Sequence, residues 1–214
     1  MTTALDPSSS SPPTATSSSR AKWRTFAAFL AILLVMTAGA YFWANRTYHF
    51  AVVDPGVLYR DGNRGISEFA TAIRKSQSKT VVSLIDDEEL NDPKKPQFKA
   101  EAEWCAQHDV HQERIPVKLG GWPSAADINR FLAIVAVPTN QPVLVHCAQG
   151  VRRTGMFVAA YEMSVQNFDK NKATAAIQTF GHSDRTADDV RTFITAYDPA
   201  THALAPLPSS TSTE

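Results

Sequence analysis

The stretch His146-Cys147-Ala148-Gln149-Gly150-Val151-Arg152-Arg153-Thr154-Gly155 lies between a strand-forming run, Pro142–Val145, and a helix-forming run, Met156–Val165. This junction decides how the chain folds and what it can do. A strand delivers a cysteine into a short loop, an arginine closes the loop, and a helix begins at once. Such a loop turns several backbone N–H groups into one concavity, and the helix dipole adds positive potential there. The concavity suits a phosphoryl dianion, and the same field favours a thiolate by lowering the cysteine pKa.

Each position then has an expected role. Cys147 attacks phosphorus as a thiolate and forms a phosphocysteine that water resolves. Arg153 presents a rigid fork of donors to two phosphate oxygens, which lysine cannot do. Gly150 lets the backbone curl close to the anion. Thr154 places a hydroxyl beside the sulfur, where it supports the thiolate and its departure. His146 orients the loop through hydrogen bonds. The backbone from Ala148 through Gln149, Gly150, Val151 and Arg152 to Arg153 forms the phosphate cradle. Arg152 either meets an additional phosphate or is an outward-facing surface arginine.

The segment resembles the His-Cys-x5-Arg-[Ser/Thr] signature of the cysteine-dependent protein tyrosine phosphatase superfamily, at His146, Cys147, Arg153 and Thr154. Upstream, Asp54-Pro55-Gly56-Val57-Leu58-Tyr59-Arg60-Asp61-Gly62-Asn63 resembles the PGxLYRSGQ opening of compact bacterial dual-specificity-type phosphatases. A Pro-Gly turn entering an edge strand explains those residues equally well. The likeness runs from about Phe50 to Tyr197. It implies hydrolysis of phosphomonoesters on phosphotyrosine, phosphoserine or phosphothreonine proteins, with phosphoinositide or phosphatidylglycerophosphate lipids as the alternative substrates. A weak pseudophosphatase that binds phosphorylated ligands is a further alternative.

Hydrophobic periodicity predicts alternating strands and helices. Strands are expected at Val57–Arg60, Thr80–Ile85, Val110–Val117 and Pro142–His146. Helices are expected at Ser67–Gln77, Gln97–His108, Ser124–Val135, Met156–Val165, Lys172–Phe180 and Ala187–Tyr197. The alternation implies an α/β fold with a mostly parallel central sheet flanked by helices, its ligand site beyond the strand carboxyl ends.

One expected part is missing. Cleavage of a phosphate ester needs a proton on the leaving oxygen, and the resemblance implies an aspartate between Val117 and Ser124 to give it. That loop reads Val117-Lys118-Leu119-Gly120-Gly121-Trp122-Pro123-Ser124, without a carboxylate. Asp127 is the first candidate for the acid and Glu113 the second, although an acidic residue at Asp127 also simply favours a helix N-terminus. Asp86-Asp87-Glu88-Glu89 reads as a solvated acidic turn and is given no role.

The remaining features bound the setting. The 214 residues hold 21 basic and 21 acidic side chains. Three basic residues against one acidic precede the domain, so the domain itself is slightly acidic, which argues against nucleic acid as a partner. Residues 1–24 form a Ser/Thr/Pro-rich tail with a basic flank, expected to be disordered. Residues 25–45 are expected to anchor the chain in a membrane: Phe26–Ala44 carries no charge, and Trp23 and Trp43 bracket it. Arg20, Lys22 and Arg24 place the N-terminus in the cytoplasm and the domain outside. A cleaved signal peptide, with Ala38-Gly39-Ala40 as its site and a secreted product, is the alternative. Residues 46–199 form the catalytic domain, and 200–214 a disordered tail. Cys105 lies on an apolar helical pattern and is either a packed core residue or a reversible redox partner of Cys147. The chemistry calls for no metal and no cofactor.

Overall fold

The computed structural model describes residues 17–208. Of the expected N-terminal tail, residues 1–16 lie outside the described residues, and so do residues 209–214 of the C-terminal tail. The chain divides into two units, one ending at Ala44 and one beginning at Asn45.

The first unit is a helix, α1 (Ser17–Ala44), so residues 17–24 of the expected tail are helical. Its stretch Lys22–Ala44 spans 23 residues and contains an 18-residue window with a mean hydropathy of 2.0, none of which is buried in protein. At about 1.5 Å per residue it is long enough for the ~30 Å hydrocarbon core of a bilayer. A signal sequence has the same length and composition.

The second unit is an α/β sandwich. Its five-stranded sheet has the order β1 (Ala51–Asp54), β2 (Leu58–Gly62), β5 (Val143–Cys147), β3 (Thr80–Ser83), β4 (His111–Arg114). All neighbours are parallel except β1 and β2, so the mostly parallel sheet holds. The Leu58 strand expected at an edge is internal, because the unanticipated β1 covers it. Strand β4 stops at Arg114, well short of Val117. All five side chains of β5 are buried, as a strand covered on both faces requires.

Helices cover both faces. Phe69, Ala72 and Ile73 of α2 (Ile66–Ser76) and Cys105 of α4 (Gln97–Gln107) pack on Val81 and Leu144. On the other face lie Ile128, Phe131, Leu132 and Val135 of α5 (Ala125–Ala136), Met156 and Phe157 of α6 (Arg152–Ser164), and Val190, Phe193 and Ile194 of α8 (Asp184–Ala196). Each such apolar side chain contributes about 1.5–3 kcal/mol on burial. The strand alternation of β5 sends Leu144 to the Cys105 side, and Val143, Val145 and Cys147 to the opposite side. The two thiols are therefore free and separated by the sheet, and no bridge joins them.

Two more departures concern local structure. The acidic run forms a short helix, α3 (Asp87–Asn91). The helix expected at Lys172–Phe180 is the shorter α7 (Lys170–Ala175). Residues 200–208 are ordered onto the domain: Ala203–Leu204 pairs with Tyr197–Asp198, and the Trp122 indole N–H donates to the Pro208 carbonyl at 2.9 Å.

Candidate active site

Strand β5 ends at Cys147 between β2 and β3, so the loop that follows opens at the middle of the sheet's carboxyl edge. Its first peptides are fixed by that sheet: the Leu84 amide donates to the His146 carbonyl at 2.9 Å and the Asn63 amide to the Cys147 carbonyl at 3.0 Å. Gly150 turns the chain back with φ of +70°, and its N–H donates to Cys147 Sγ at 3.1 Å. A side chain at Gly150 would overlap the Asp61 carbonyl, and one at Gly62 would stand 2.7 Å from the Gln149 carbonyl. The two glycines let β2 and the loop meet.

Cys147 is 3% exposed. Burial alone would raise its pKa. The Arg153 guanidinium, the Thr154 hydroxyl and amide, and the Gly150 amide outweigh that and hold it below the ordinary thiol value. The Thr154 hydroxyl is buried, and its effect on the sulfur is to favour the thiolate. Arg153, from the first turn of α6, is held by three acceptors on Nη1: the Leu84 carbonyl at 3.2 Å, the Val117 carbonyl at 3.0 Å and Glu89 Oε2 at 2.5 Å.

Glu89 corrects the reading of the acidic run as a solvated turn. It is buried, with Lys95 Nζ 3.5 Å from its second oxygen. Asp86 is buried as well: one oxygen accepts from the Glu89 amide at 2.7 Å as the cap of α3, and the other from the Leu119 amide at 2.9 Å. The run thus joins the strand-β3 loop, the arginine clamp and the loop after β4. Asp87 pairs outward with Arg114 at 2.7 Å.

Under the loop lies a second buried network. His146, fully buried, meets Glu101 Oε1 at 2.9 Å through Nε2. Glu101 also accepts from Asn63 at 2.6 Å and Gln112 at 2.6 Å. Burial disfavours the charged imidazole, but Glu101 reverses this and raises the His146 pKa. Arg60 of β2, 2% exposed, donates to the Gly150 carbonyl at 2.7 Å. Asp61, fully buried, has neither carboxyl oxygen hydrogen-bonded, and burial raises its pKa to about 8.

Arg152 faces the loop after β4. Its Nε donates to Asp189 at 2.5 Å, Nη1 to the Gly121 carbonyl at 2.5 Å and Nη2 to the Gly120 carbonyl at 3.1 Å. Its guanidinium carbon stands 4.8 Å from the Trp122 ring centroid, a favourable stacking geometry for a cation. These bonds occupy the side chain, so it serves the cavity wall.

The cavity over the sulfur has a volume of about 320 Å³. Cys147, Ala148, Gln149, Arg152 and Arg153 line it, with Glu89, Lys95, Leu119, Gly120 and Thr186 completing the wall. Gly150 and Val151 are not on that wall: the Gly150 amide is directed at the sulfur and Val151 is buried in the core. Asp127 is also absent from it. Its carboxylate accepts from the Ser124 amide at 2.8 Å, and its own amide donates to Ser124 Oγ at 3.1 Å, closing a capping box. Glu113 is engaged by Arg130 at 2.7 Å and His111 at 2.9 Å. Glu89 is the carboxylate on the wall, and it is committed to Arg153.

Three comparisons with known proteins agree with this geometry. Residues 60–195 match the family model described as DSP-PTPase phosphatase fused to NAD+ kinase. The dual specificity protein phosphatase TpbA of Pseudomonas aeruginosa is 30% identical over an alignment of 147 residues that covers 65% of this chain. The match spans 61% of that relative's length. The crystal structure of P. aeruginosa TpbA is similar with a TM-score of 0.57 and 26% identity, covering 72% of this chain and 88% of that one. The catalytic core of the PP-IP phosphatase Siw14 from S. cerevisiae shares the fold, with a TM-score of 0.59 and 21% identity over 72% of this chain and 87% of that one. With its signature loop, its sheet and its family match in agreement, the chain belongs to the dual-specificity-type branch of the cysteine-dependent protein tyrosine phosphatase superfamily.

Proposed function

We propose that this chain hydrolyses phosphomonoesters through a phosphocysteine formed on Cys147. The observation that carries the proposal is the buried sulfur with an amide donor at 3.1 Å beside an arginine fixed by three acceptors. In the first step the sulfur attacks phosphorus in line and the ester oxygen departs. Arg153 and the loop amides hold the equatorial oxygens, where the transition state places its charge. Water then attacks the phosphocysteine, the Cys147 thiolate leaves, and Thr154 stabilises it. His146 orients the loop from below through Glu101.

The leaving group selects the substrate. No carboxylate stands on the loop from Val117 to Ser124, so oxygens that depart without a proton react best. A phenol does so far more readily than an alcohol, which favours phosphotyrosine proteins, in keeping with the dual specificity name of the 30% identical relative. Assay of the full chain on aryl and alkyl phosphates, beside Cys147→Ser and Arg153→Lys, tests the proposal. Loss of turnover in both variants and a strong aryl preference are expected; equal hydrolysis by all three proteins would reject it. Tight phosphopeptide binding by the wild type without turnover would favour the second reading, a phospho-ligand binder, which the missing acid supports.

The apolar α1 supports a membrane anchor, and the basic residues before it support an N-terminus in the cytoplasm with the domain outside. That placement would bring phospholipid headgroups within reach as alternative substrates. Extraction at high pH separates an anchored chain from one whose helix is cleaved, and protease accessibility in sealed vesicles reads the orientation.

A further inference from the structure

The residues between α1 and β1 carry chemistry that the family match, which begins at residue 60, does not reach. His49 Nδ1 lies 2.7 Å from the Gln149 carbonyl oxygen, one hundred residues away in sequence and in the middle of the phosphate loop. A carbonyl accepts, so Nδ1 carries the hydrogen. The Gln149 carbonyl and the Gly150 N–H belong to one peptide unit, and in a trans peptide they point in opposite directions. Holding the carbonyl outward at His49 therefore directs the N–H inward, where it donates to Cys147 Sγ at 3.1 Å. The next unit of the loop is fixed in the same way, by Arg60 on the Gly150 carbonyl.

Aromatic neighbours also hold the ring. Tyr48 stacks on it with centroids 3.9 Å apart and Phe180 with centroids 4.8 Å apart, while His182 meets it edge-on at 5.1 Å. The Tyr48 carbonyl in turn accepts from the Gly62 amide at 2.8 Å, tying the segment to the end of β2. His49 adopts φ of +63°, a conformation that ordinary side chains avoid and that Asn and Gly tolerate. Burial lowers the His49 pKa, and His182, Arg60 and Arg64 lower it further, against the opposing bond to Gln149.

We infer that His49 is a positioning residue of the phosphate loop: its ring N–H holds the Gln149 carbonyl and so aims the Gly150 amide at the Cys147 sulfur. The inference deepens the phosphatase reading and rests on it for its catalytic meaning. The segment that joins the apolar helix to the domain is thereby part of the catalytic support.

The test is alkylation of the full chain in detergent by iodoacetamide, followed against pH. Cys105 does not interfere, since burial raises its pKa to about 12. His49→Gly keeps the backbone conformation and removes the ring. It should raise the Cys147 midpoint by about one pH unit, a tenfold loss of thiolate at low pH equivalent to about 1.4 kcal/mol. His49→Asn, whose amide nitrogen replaces Nδ1, should restore the midpoint. His49→Gln, whose amide reaches the place of Nε2, should not, and this pair decides the matter if the glycine variant does not fold. An unchanged midpoint in folded His49→Gly, or shifts of equal size in Asn and Gln, would overturn the inference. The readout needs no turnover: a wild type that hydrolyses no ester while the midpoints move as stated defeats the phosphatase reading and leaves the role of His49 standing.

Discussion

Replacing Glu89 by Gln tests whether the acidic run serves the arginine clamp. Glu89 and Arg153 are 5% and 4% exposed and meet at 2.5 Å. The substitution preserves size and removes one charge. The Gln oxygen can still accept from Arg153, so what is lost is the charge assistance of a buried bond worth about 1.5–3 kcal/mol in all. Arg153 keeps the Leu84 and Val117 carbonyls, so its fork is loosened and not released. If that loss falls wholly on the transition state, kcat/KM falls by about 10-fold and by at most about 100-fold. The sulfur responds in the opposite sense. Glu89 offsets the positive charge of Arg153 at the thiolate, so its neutralisation should lower the Cys147 pKa further, where His49→Gly raises it. Steady-state kinetics on an aryl phosphate and the alkylation midpoint together read both effects, and Glu89→Asp, which keeps the charge but shortens the reach, should fall between. A folded Glu89→Gln protein with unchanged kcat/KM would refute the reasoning and reduce Glu89 to a fold contact.

Two further outcomes concern stability. Burial raises the Asp61 pKa to about 8, whereas in the unfolded chain it is about 3.9. Between those pH values the unfolded state gives up the proton that the folded state keeps, so stability falls as pH rises through this window. Asp61→Asn should therefore stabilise the protein at pH 7 by at most about 4 kcal/mol, with the gain vanishing near pH 4; denaturant melts at both pH values check this, and no gain at pH 7 would mean that Asp61 is ionised and solvated. Asp127→Asn, which weakens the capping box, should cost about 0.5–1 kcal/mol of stability and leave the ratio of aryl to alkyl turnover unchanged; a selective loss on alkyl phosphates would restore Asp127 as the acid.

The parts legible in the sequence are those that local pattern controls. The run from Val143 to Ser164 declares a strand, a loop and a helix through its own residue types, and the nucleophile and clamp follow from it. Glu89 escaped because its partner lies 64 residues away and a run of carboxylates looks solvated wherever it occurs. Glu101 left a trace: with Phe98 and Cys105 it sits on the buried face of α4, and a charged residue at an apolar helical position asks for a buried partner. Arg60 and Asp61 left a similar trace, as adjacent charges in a strand whose neighbours are buried. His49 left none, since its role depends on a carbonyl, which every residue possesses. The order seen at residues 200–208 also arises from contacts, the Trp122 indole and the pairing with Tyr197–Asp198, that composition does not reveal.

Gly62 and Gly150 stand where β2 meets the loop, and neither admits even one methyl group without displacing backbone across that junction, the Gln149 carbonyl for Gly62 and the Asp61 carbonyl for Gly150. Their restriction is steric and belongs to the architecture. It would survive the loss of Cys147, so a descendant that had abandoned turnover and kept only phosphate binding would retain both glycines for as long as it kept the sheet. In a mutational scan the two positions should therefore be as intolerant for folding as the cysteine is for catalysis. A loop with its glycines in place attests to the cradle, and the cysteine, arginine and threonine must be present as well before it attests to an enzyme.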